Sequence, residues 1–208
     1  NIFDDNIDWA NPKKIKGVHS GIILGGSGDF DFDGGREKND PKRLMSHEIL
    51  KKITVFLQYI FNYDIPTFGI CYGHQMLAAF KGVSIINDKY QSKVGSYEIH
   101  IKDEYRLDPL FKGLPSSFIG QYGHKDSLNS VLFGASVIAG GDKCNYSIIK
   151  YSPHIYSVQF HPELTLEDVL KRLKNSPGYL PDNITIESLV KPSLNSELIL
   201  RNFFNIIQ

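Results

Sequence analysis

The segment Gly69-Ile70-Cys71-Tyr72-Gly73 decides the fold of this chain. An apolar run, residues 65–70, leads into it, and a segment of helical character follows it. A cysteine framed by glycines in this way matches the cysteine form of the elbow motif, in which a strand turns sharply into a helix and presents one side chain at the tip. The sequence therefore predicts a strand that ends at the cysteine and a helix that begins just after it.

The elbow requires these residue types. Its central residue adopts a strained backbone conformation, and bulky neighbours would collide with it. Gly69 and Gly73 remove those side chains. The turn places the sulfur of Cys71 near the N-terminus of the following helix, where the helix dipole favours a thiolate. It also leaves the backbone N–H of Tyr72 free to face an oxyanion that develops during acyl transfer.

A second motif, His161-Pro162-Glu163, stands about 90 residues later. Pro162 keeps His161 extended, and residues two apart in an extended segment point to the same side. Glu163 can therefore approach one imidazole nitrogen while the other nitrogen faces the sulfur. Residues 155–160 before the motif predict a strand that delivers the pair. Together the two motifs predict a Cys-His-Glu triad.

Each motif also has a structural interpretation. A lone cysteine in an apolar stretch is more often a small buried hydrophobe, and this is our prediction for Cys144, which has no glycine frame. Most lone histidines are structural as well. The occurrence of both motifs in one chain, in this order, favours catalytic roles for Cys71 and His161.

The segments 69–75 and 158–163 resemble the corresponding motifs of the class I glutamine amidotransferases, in particular the amidotransferase domain of GMP synthase and its stand-alone relatives. The resemblance spans roughly residues 17 to 163 and resumes at the C-terminal helix. It implies an α/β fold, a three-layer open and mostly parallel sheet with helices on both faces. It also implies that the glutamine side-chain amide is hydrolysed through a γ-glutamyl thioester, which yields glutamate and ammonia.

The resemblance implies a role for each matching residue. Cys71 would be the nucleophile, His161 the acid and base, and Glu163 the residue that orients the imidazole. The oxyanion hole would be formed by backbone N–H groups of Tyr72 and of Gly26 in the glycine loop after the first strand. The implied substrate-binding residues are Gln75, Tyr122, Gly123 and His124, and no metal or cofactor is implied.

Composition is that of a globular enzyme domain. A chain of 208 residues is long enough for one α/β domain with a sizeable core. Lysine plus arginine equals aspartate plus glutamate at 23 each, which gives no support for a nucleic acid or an acidic membrane as a main partner. Two cysteines make no disulfide framework, and a reactive thiol suits a reducing compartment, so we expect a cytoplasmic protein.

The rest of the pattern alternates between strand and helix. Asp40 followed by Pro41 predicts the start of a helix whose apolar spacing continues through Phe61, and Gly82 predicts the end of the elbow helix. A further helix begins at Thr165, with Asp168 at the distance of a capping box, and the last one covers residues 195–207. The predicted strands are residues 18–24, 65–70, 83–86, 96–101, 117–119 and 135–139, and a hairpin of 147–151 with 155–160.

Three features depart from the family pattern. The chain has no initial methionine and no clear first strand, so we expect a fragment or a trimmed N-terminus of a single domain over residues 1–208. Residues 164–193 form an insertion before the last helix, either a lid or partner contact or a solvated loop. The segment 29–34 mimics the opening of a calcium loop, and the alternative is a solvated acidic loop beside the active site.

Three functions fit these observations. The first is a glutaminase that uses glutamine as its substrate and delivers ammonia to a synthetase, present as a partner subunit or domain. The second is a γ-glutamyl peptidase that acts on γ-glutamyl amides with the same triad. The third is a non-catalytic regulatory module with an idle triad, against which the intact residues Cys71, His161 and Glu163 argue.

Overall fold

The computed structural model describes residues 2–175 and 185–208. Its strands are β1 (Ile22–Leu24), β2 (Thr67–Ile70), β3 (Ile85–Asn87), β4 (Lys93–Ile101), β5 (Ser117–His124), β6 (Asp126–Leu128), β7 (Ser136–Gly141), β8 (Cys144–Lys150) and β9 (Ile155–Val158). Its helices are α1 (Pro12–Lys16), α2 (Pro41–Lys52), α3 (Thr54–Asn62), α4 (Tyr72–Phe80), α5 (Leu166–Asn175), α6 (Ile186–Leu189) and α7 (Ser196–Ile206), with two 3₁₀ turns at Asp103–Tyr105 and Pro109–Phe111.

In this part of the chain, seven strands form one sheet in the order β1-β2-β9-β8-β7-β4-β5, and β3 pairs with β6 in a second sheet. Parallel pairing joins β1 to β2 and β2 to β9. The pairs β9-β8, β8-β7, β7-β4 and β4-β5 are antiparallel. The parallel strands therefore form the part of the sheet that carries the elbow, where strand ends commonly support a site.

Helices cover both faces of the sheet, as predicted for the α/β class. One face packs against α7, with Phe203 against Phe68 at a ring-centroid separation of 5.1 Å. The other face packs against α2, α3 and α4, and Leu57 and Leu77 are fully buried there. Successive residues of β2 and β9 point to opposite faces, so a continuous apolar strand contributes to both cores.

Several local predictions are confirmed. The side chain of Asp40 accepts a hydrogen bond of 2.9 Å from the N–H of Lys42 at the start of α2. Gly82 has a φ of 85° just beyond α4, as expected for a glycine that ends a helix. Thr165 and Asp168 form a capping box, with the Thr165 N–H 3.0 Å from Asp168 Oδ2.

Other elements differ from the prediction. The helix expected to continue to Phe61 is divided at Ile53, which belongs to neither α2 nor α3. The strand expected at residues 117–119 continues to His124. The strand expected at residues 83–86 lies instead at Ile85–Asn87 and joins β6 outside the main sheet. Pairings between distant segments decide the last two differences, and local spacing does not encode them.

The predicted insertion contributes α5 and α6, and residues 176–184 lie outside the described residues. A third apolar cluster joins the helices to β4, with Leu164, Val169 and Leu173 buried against Val94 and Ile186. The described part of the insertion is therefore packed against the sheet. No helix in the described ranges combines the length and the apolar character that crossing a membrane requires.

Candidate active site

The elbow has the backbone geometry that its glycines predict. Cys71 has φ 51° and ψ −101°, a strained conformation for a residue with a side chain. A Cβ on Gly69 would lie 2.8 Å from the carbonyl oxygen of Gly73, and a Cβ on Gly73 would collide with the carbonyl oxygen of Leu24. Close approach of three backbone segments therefore excludes any other residue at both positions.

Backbone hydrogen bonds fix the elbow between two neighbours. The N–H of Cys71 donates to the carbonyl oxygen of Val158 at 2.8 Å, which ties the elbow to the end of β9. The N–H of Gly73 donates to the carbonyl oxygen of Gly25 at 3.2 Å, which ties it to the glycine loop. The sulfur of Cys71 is thus held between the loop after β1 and the segment that carries His161.

The second motif forms the predicted side-chain pair. His161 Nδ1 donates to Glu163 Oε1 at 2.7 Å. The imidazole is buried, and the Glu163 side chain keeps 37% exposure. The backbone N–H of His161 donates to the carbonyl oxygen of Gln121 at 2.7 Å, so β5 holds this segment in place. The bond to Glu163 leaves Nε2 as the nitrogen available for the thiol or the substrate.

Gly26 lies close to both motifs. A Cβ on Gly26 would lie 2.9 Å from His161 Cε1, 3.7 Å from His161 Nε2 and 3.4 Å from the Cβ of Cys71. The Nε2 edge of the ring therefore faces the glycine loop and the elbow. The predicted oxyanion residue, nucleophile and base lie within a few ångströms of one another.

Electrostatics favour a charged imidazole. Burial by itself lowers the pKa of His161, but hydrogen bonds and charge interactions with Cys71 and Glu163 outweigh it and raise that pKa to about 10. Burial raises the pKa of Glu163, but its hydrogen bond to His161 outweighs this effect and holds the pKa below the ordinary value. The site therefore favours an imidazolium beside an ionised carboxylate at neutral pH.

The second predicted oxyanion residue begins α4. Tyr72 is the first residue of this helix, where a backbone N–H has no acceptor within the helix. Its ring stacks on Phe32 at 5.4 Å, and burial raises the pKa of its hydroxyl to about 12. The start of α4 therefore leaves the backbone N–H of Tyr72 without an acceptor inside the helix, while the side chain packs in the core.

A cavity of about 630 Å³ opens over the cysteine. Six of the sequence-predicted residues line it: Gly26, Cys71, Tyr122, Gly123, His161 and Glu163. Its far side is formed by the insertion, through Leu164 and by Val169, Arg172 and Leu173 of α5. The predicted residues Tyr72, Gln75 and His124 are not part of the lining.

Gln75 lies behind the sulfur. Its side-chain amide donates to the carbonyl oxygen of Asp126 at 2.9 Å and to Gln159 Oε1 at 3.4 Å. Gln159 Nε2 in turn lies 3.8 Å from Cys71 Sγ. Sequence reasoning missed Gln159, although an amide side chain two residues before His161, between the apolar residues Val158 and Phe160, was an available signal.

His124 is buried beside the site. Its Nδ1 donates to the carbonyl oxygen of Asp126 at 3.0 Å, and its Nε2 has no hydrogen-bond partner among the described residues. Burial lowers the pKa of His124 to about 4, so the ring is neutral at physiological pH. The neighbouring Tyr122 hydroxyl is 2.8 Å from Ser147 Oγ, which fixes the Tyr122 ring in the core.

The acidic loop is held by salt bridges and by the sheet. Asp31 pairs with Arg36 at 2.7 Å, and Asp33 pairs with Arg43 at 3.2 Å. The Asp126 carboxylate accepts the backbone N–H of Asp33 at 2.8 Å. In the described ranges no group of three or more His, Cys, Asp or Glu side chains is arranged to hold a metal ion. These contacts anchor the loop beside the cavity.

Comparison with known proteins gives matches over most of the chain. The family model described as Glutamine amidotransferase class-I matches residues 8–175. The chain is 35% identical over 166 residues to a glutamine-hydrolyzing GMP synthase of Borreliella burgdorferi, covering 79% of this chain and 29% of that protein. It is 30% identical over 164 residues to a Methanosphaera stadtmanae protein named as one subunit of a glutamine-hydrolyzing GMP synthase, covering 77% of this chain and 70% of that protein.

Solved structures share the fold. A glutamine amidotransferase from Thermotoga maritima superposes with a TM-score of 0.65 at 16% identity, covering 91% of this chain and 99% of that one. One from Methylobacillus flagellatus gives a TM-score of 0.66 at 17% identity, covering 91% of this chain and 77% of that one. By contrast, the chain spans less than a third of the length of the Borreliella relative.

Proposed function

This chain belongs to the class I glutamine amidotransferases, and on that premise we propose that it hydrolyses the side-chain amide of glutamine through Cys71, His161 and Glu163. The products are glutamate and ammonia. The observation that carries the proposal is the approach of Gly26 to both Cys71 and His161, because it assembles a nucleophile, a base and an oxyanion donor at one cavity. Residues 1–208 are proposed to form a single amidotransferase domain with the insertion at 164–193.

The first half of the reaction follows from the site's charges. The Cys71 thiolate attacks the amide carbon, and the carbonyl oxygen becomes an oxyanion that faces the N–H groups of Tyr72 and Gly26. One such donor typically contributes about 3 kcal/mol. The imidazolium of His161 gives its proton to the amide nitrogen, the C–N bond breaks, and ammonia leaves with a γ-glutamyl thioester left on the sulfur.

The second half of the reaction hydrolyses the thioester. His161, now neutral, takes a proton from a water molecule as that water attacks the thioester carbon. The C–S bond breaks, glutamate is released, and the thiolate–imidazolium pair is restored. Glu163 holds the Nδ1–H tautomer through both halves and stabilises the imidazolium each time it forms.

The ammonia is proposed to pass to an acceptor on a synthetase, present as a partner subunit or as a domain. This proposal is supported by the relative from Methanosphaera stadtmanae, whose name describes one part of a GMP synthase made of more than one chain. Free ammonia becomes protonated at neutral pH and loses its nucleophilicity, so direct delivery favours its use.

One observation favours a second function, a γ-glutamyl peptidase. The cavity of about 630 Å³ lies within the range of sites for drug-sized ligands, which are considerably larger than glutamine. Such a cavity has room for a γ-glutamyl amide with a larger amine. The chemistry at Cys71 would be identical, with an amine leaving in place of ammonia.

Glutamate release separates these functions. The purified chain is incubated with L-glutamine, with and without a synthetase partner, and separately with γ-glutamyl dipeptides. We expect turnover of glutamine, accelerated by the synthetase, and a much lower kcat/KM for the dipeptides than for glutamine. Faster turnover of the dipeptides would favour the peptidase, and no turnover of either substrate in any combination would favour the non-catalytic module.

A further inference from the structure

Two charges on the cavity wall are not used by the triad. The wall carries the charged side chains of Asp29, Glu163 and Arg172 together with His161. Glu163 is engaged with His161. Neither the carboxylate of Asp29 nor the guanidinium of Arg172 has a hydrogen bond or an ion pair within residues 2–175 and 185–208. Among the described residues, the cavity thus presents one available anion and one available cation.

The fold holds Arg172 toward the cavity. Its neighbours on α5, Val169 and Leu173, are buried in the cluster that also contains Val94 of β4. The capping box of Thr165 and Asp168 fixes the start of the helix. Because the helix is fixed at its start and packed along one face, Arg172 is presented from a rigid element.

The nearby acidic side chains leave the guanidinium of Arg172 available, because they have other hydrogen-bond partners. Glu163 Oε1 already accepts from His161, and Asp168 Oδ2 accepts from Thr165 Oγ1 at 2.6 Å. The positive charge of Arg172 helps to lower the pKa of both carboxylates, but neither carboxylate forms an ion pair with Arg172. Asp31 and Asp33 of the acidic loop are paired with other arginines, and Asp29 of that loop faces the cavity instead.

The substrate carries the complementary charges. Glutamine has an α-carboxylate and an α-ammonium at the end opposite its amide, and both need partners when the molecule enters a cavity. The planar fork of an arginine binds a carboxylate with two parallel hydrogen bonds, and an aspartate accepts from an ammonium. A cavity that contains one of each, beside the nucleophile, suits a zwitterionic amino-acid end.

We propose that Arg172 binds the α-carboxylate and Asp29 the α-ammonium of the substrate, an inference that rests on the proposed hydrolysis of glutamine. The inserted helix α5 then contributes directly to substrate specificity. Arg172 adds to Tyr122 and Gly123, which line the same cavity. Amides that lack the amino-acid end are poor ligands for this site.

Binding to a catalytically inert chain tests the assignment. In a Cys71→Ala background, with Cys71→Ser as a second version, calorimetry measures the Kd of L-glutamine and of glutamine α-amide, which lacks the carboxylate. Arg172→Ala is expected to weaken glutamine binding about tenfold or more and to leave α-amide binding unchanged. Lys171→Ala, the adjacent exposed cation on α5, is the matched control and is expected to change neither.

Asp29→Asn provides the second arm, with 4-carbamoylbutanoate, which lacks the amino group, as its insensitive ligand. Equal weakening of glutamine and of the truncated ligand, no weakening at all, or no glutamine binding by either background chain would overturn the inference. The experiment distinguishes failure of this assignment from failure of the proposed hydrolysis. A chain that binds glutamine through Arg172 but releases no glutamate would retain this assignment and contradict the hydrolysis.

Discussion

The backbone N–H of His161 and the carbonyl oxygen of Gln121 form a hydrogen bond of 2.7 Å. The side chain of the same Gln121 donates to the carbonyl oxygen of Lys191 at 2.8 Å and accepts from Ser96 Oγ at 2.6 Å. Gln121 therefore joins the segment that carries the imidazole of His161 to the segment that follows α6.

Replacing the side-chain amide of Gln121 should loosen the segment that follows α6. In Gln121→Leu the carbonyl of Lys191 loses one of its donors, which reduces the free energy of local opening by about 1–3 kcal/mol. Amide hydrogen exchange at residues 189–191 is expected to become faster, while exchange in β2 and β9 stays the same. Gln58→Leu on the exposed face of α3 is the control, and unchanged exchange at 189–191 in Gln121→Leu would contradict the prediction.

A methyl group at the glycine loop should disable the site without unfolding the protein. In Gly26→Ala the new Cβ would lie 2.9 Å from His161 Cε1, so the ring must move away from Cys71. We expect kcat for glutamine to fall by on the order of 10², with an unchanged thermal midpoint. Gly28→Ala, whose Cβ would have no atom within 4 Å, is the control. Similar kcat values for the two variants would contradict this account.

Neutralising Glu163 should shift the alkaline limit of activity. The pKa of His161 is raised to about 10, so the imidazolium that protonates the leaving ammonia is lost as pH rises through that value. Glu163→Gln removes one of the interactions that raise this pKa. The alkaline limb of the kcat profile is therefore expected at lower pH than in the unmodified chain, with kcat reduced by on the order of 10².

The same pKa has a consequence for stability. Because the folded-state pKa of His161 exceeds its unfolded value of 6.5, its contribution is complete below pH 6.5 and is lost as pH rises toward 10. Glu163→Gln is expected to flatten this part of the stability profile. Glu167→Gln on the exposed side of α5 is the control. Stability profiles with the same alkaline limb in both variants would count against the pairing of Glu163 with His161.

A buried lysine near the site is expected to lower stability. Lys93 is 2% exposed, and its Nζ has no hydrogen-bond partner among the described residues. It lies 4.5 Å from the ring centre of Tyr97 and 5.0 Å from that of Tyr122. Lys93→Met keeps the length and removes the charge, so we expect urea denaturation at pH 7 to show an unfolding free energy higher by about 1–2 kcal/mol.

The pH dependence distinguishes this explanation from better packing. Burial lowers the pKa of Lys93, so the unfolded chain binds more protons and the unmodified protein gains stability as pH rises toward 10.5. Lys93→Met should lack this gain. The exposed change Lys89→Met is the control, and a Lys93→Met protein that is less stable than the unmodified chain at pH 7 would refute the prediction.

The elbow and its partner were predictable because their constraints are local. Glycines at 69 and 73 are required by close backbone approaches, and the spacing of His161 and Glu163 follows from an extended segment. The cap at Asp40 is equally local. In each case neighbouring residues carry the physical reason, and the sequence displays it.

The remaining features depend on contacts between distant segments. Gln159 approaches the sulfur because β9 pairs with β2, and Gln121 holds Lys191 across 70 positions of sequence. Gln75 was expected at the substrate cavity, but it bonds to Asp126 behind the elbow. No periodicity or turn signal specifies these partners, since strand pairing decides them.

Trapping the intermediate tests the central claim most directly. The chain is mixed with L-glutamine, quenched in acid, digested and analysed by mass spectrometry, with Cys71→Ala and Cys144→Ala as paired variants. We predict a γ-glutamyl adduct on the peptide that contains Cys71 in the unmodified and Cys144→Ala proteins, and neither adduct nor glutamate release in Cys71→Ala. Glutamate release by Cys71→Ala at the rate of the unmodified protein would contradict the account.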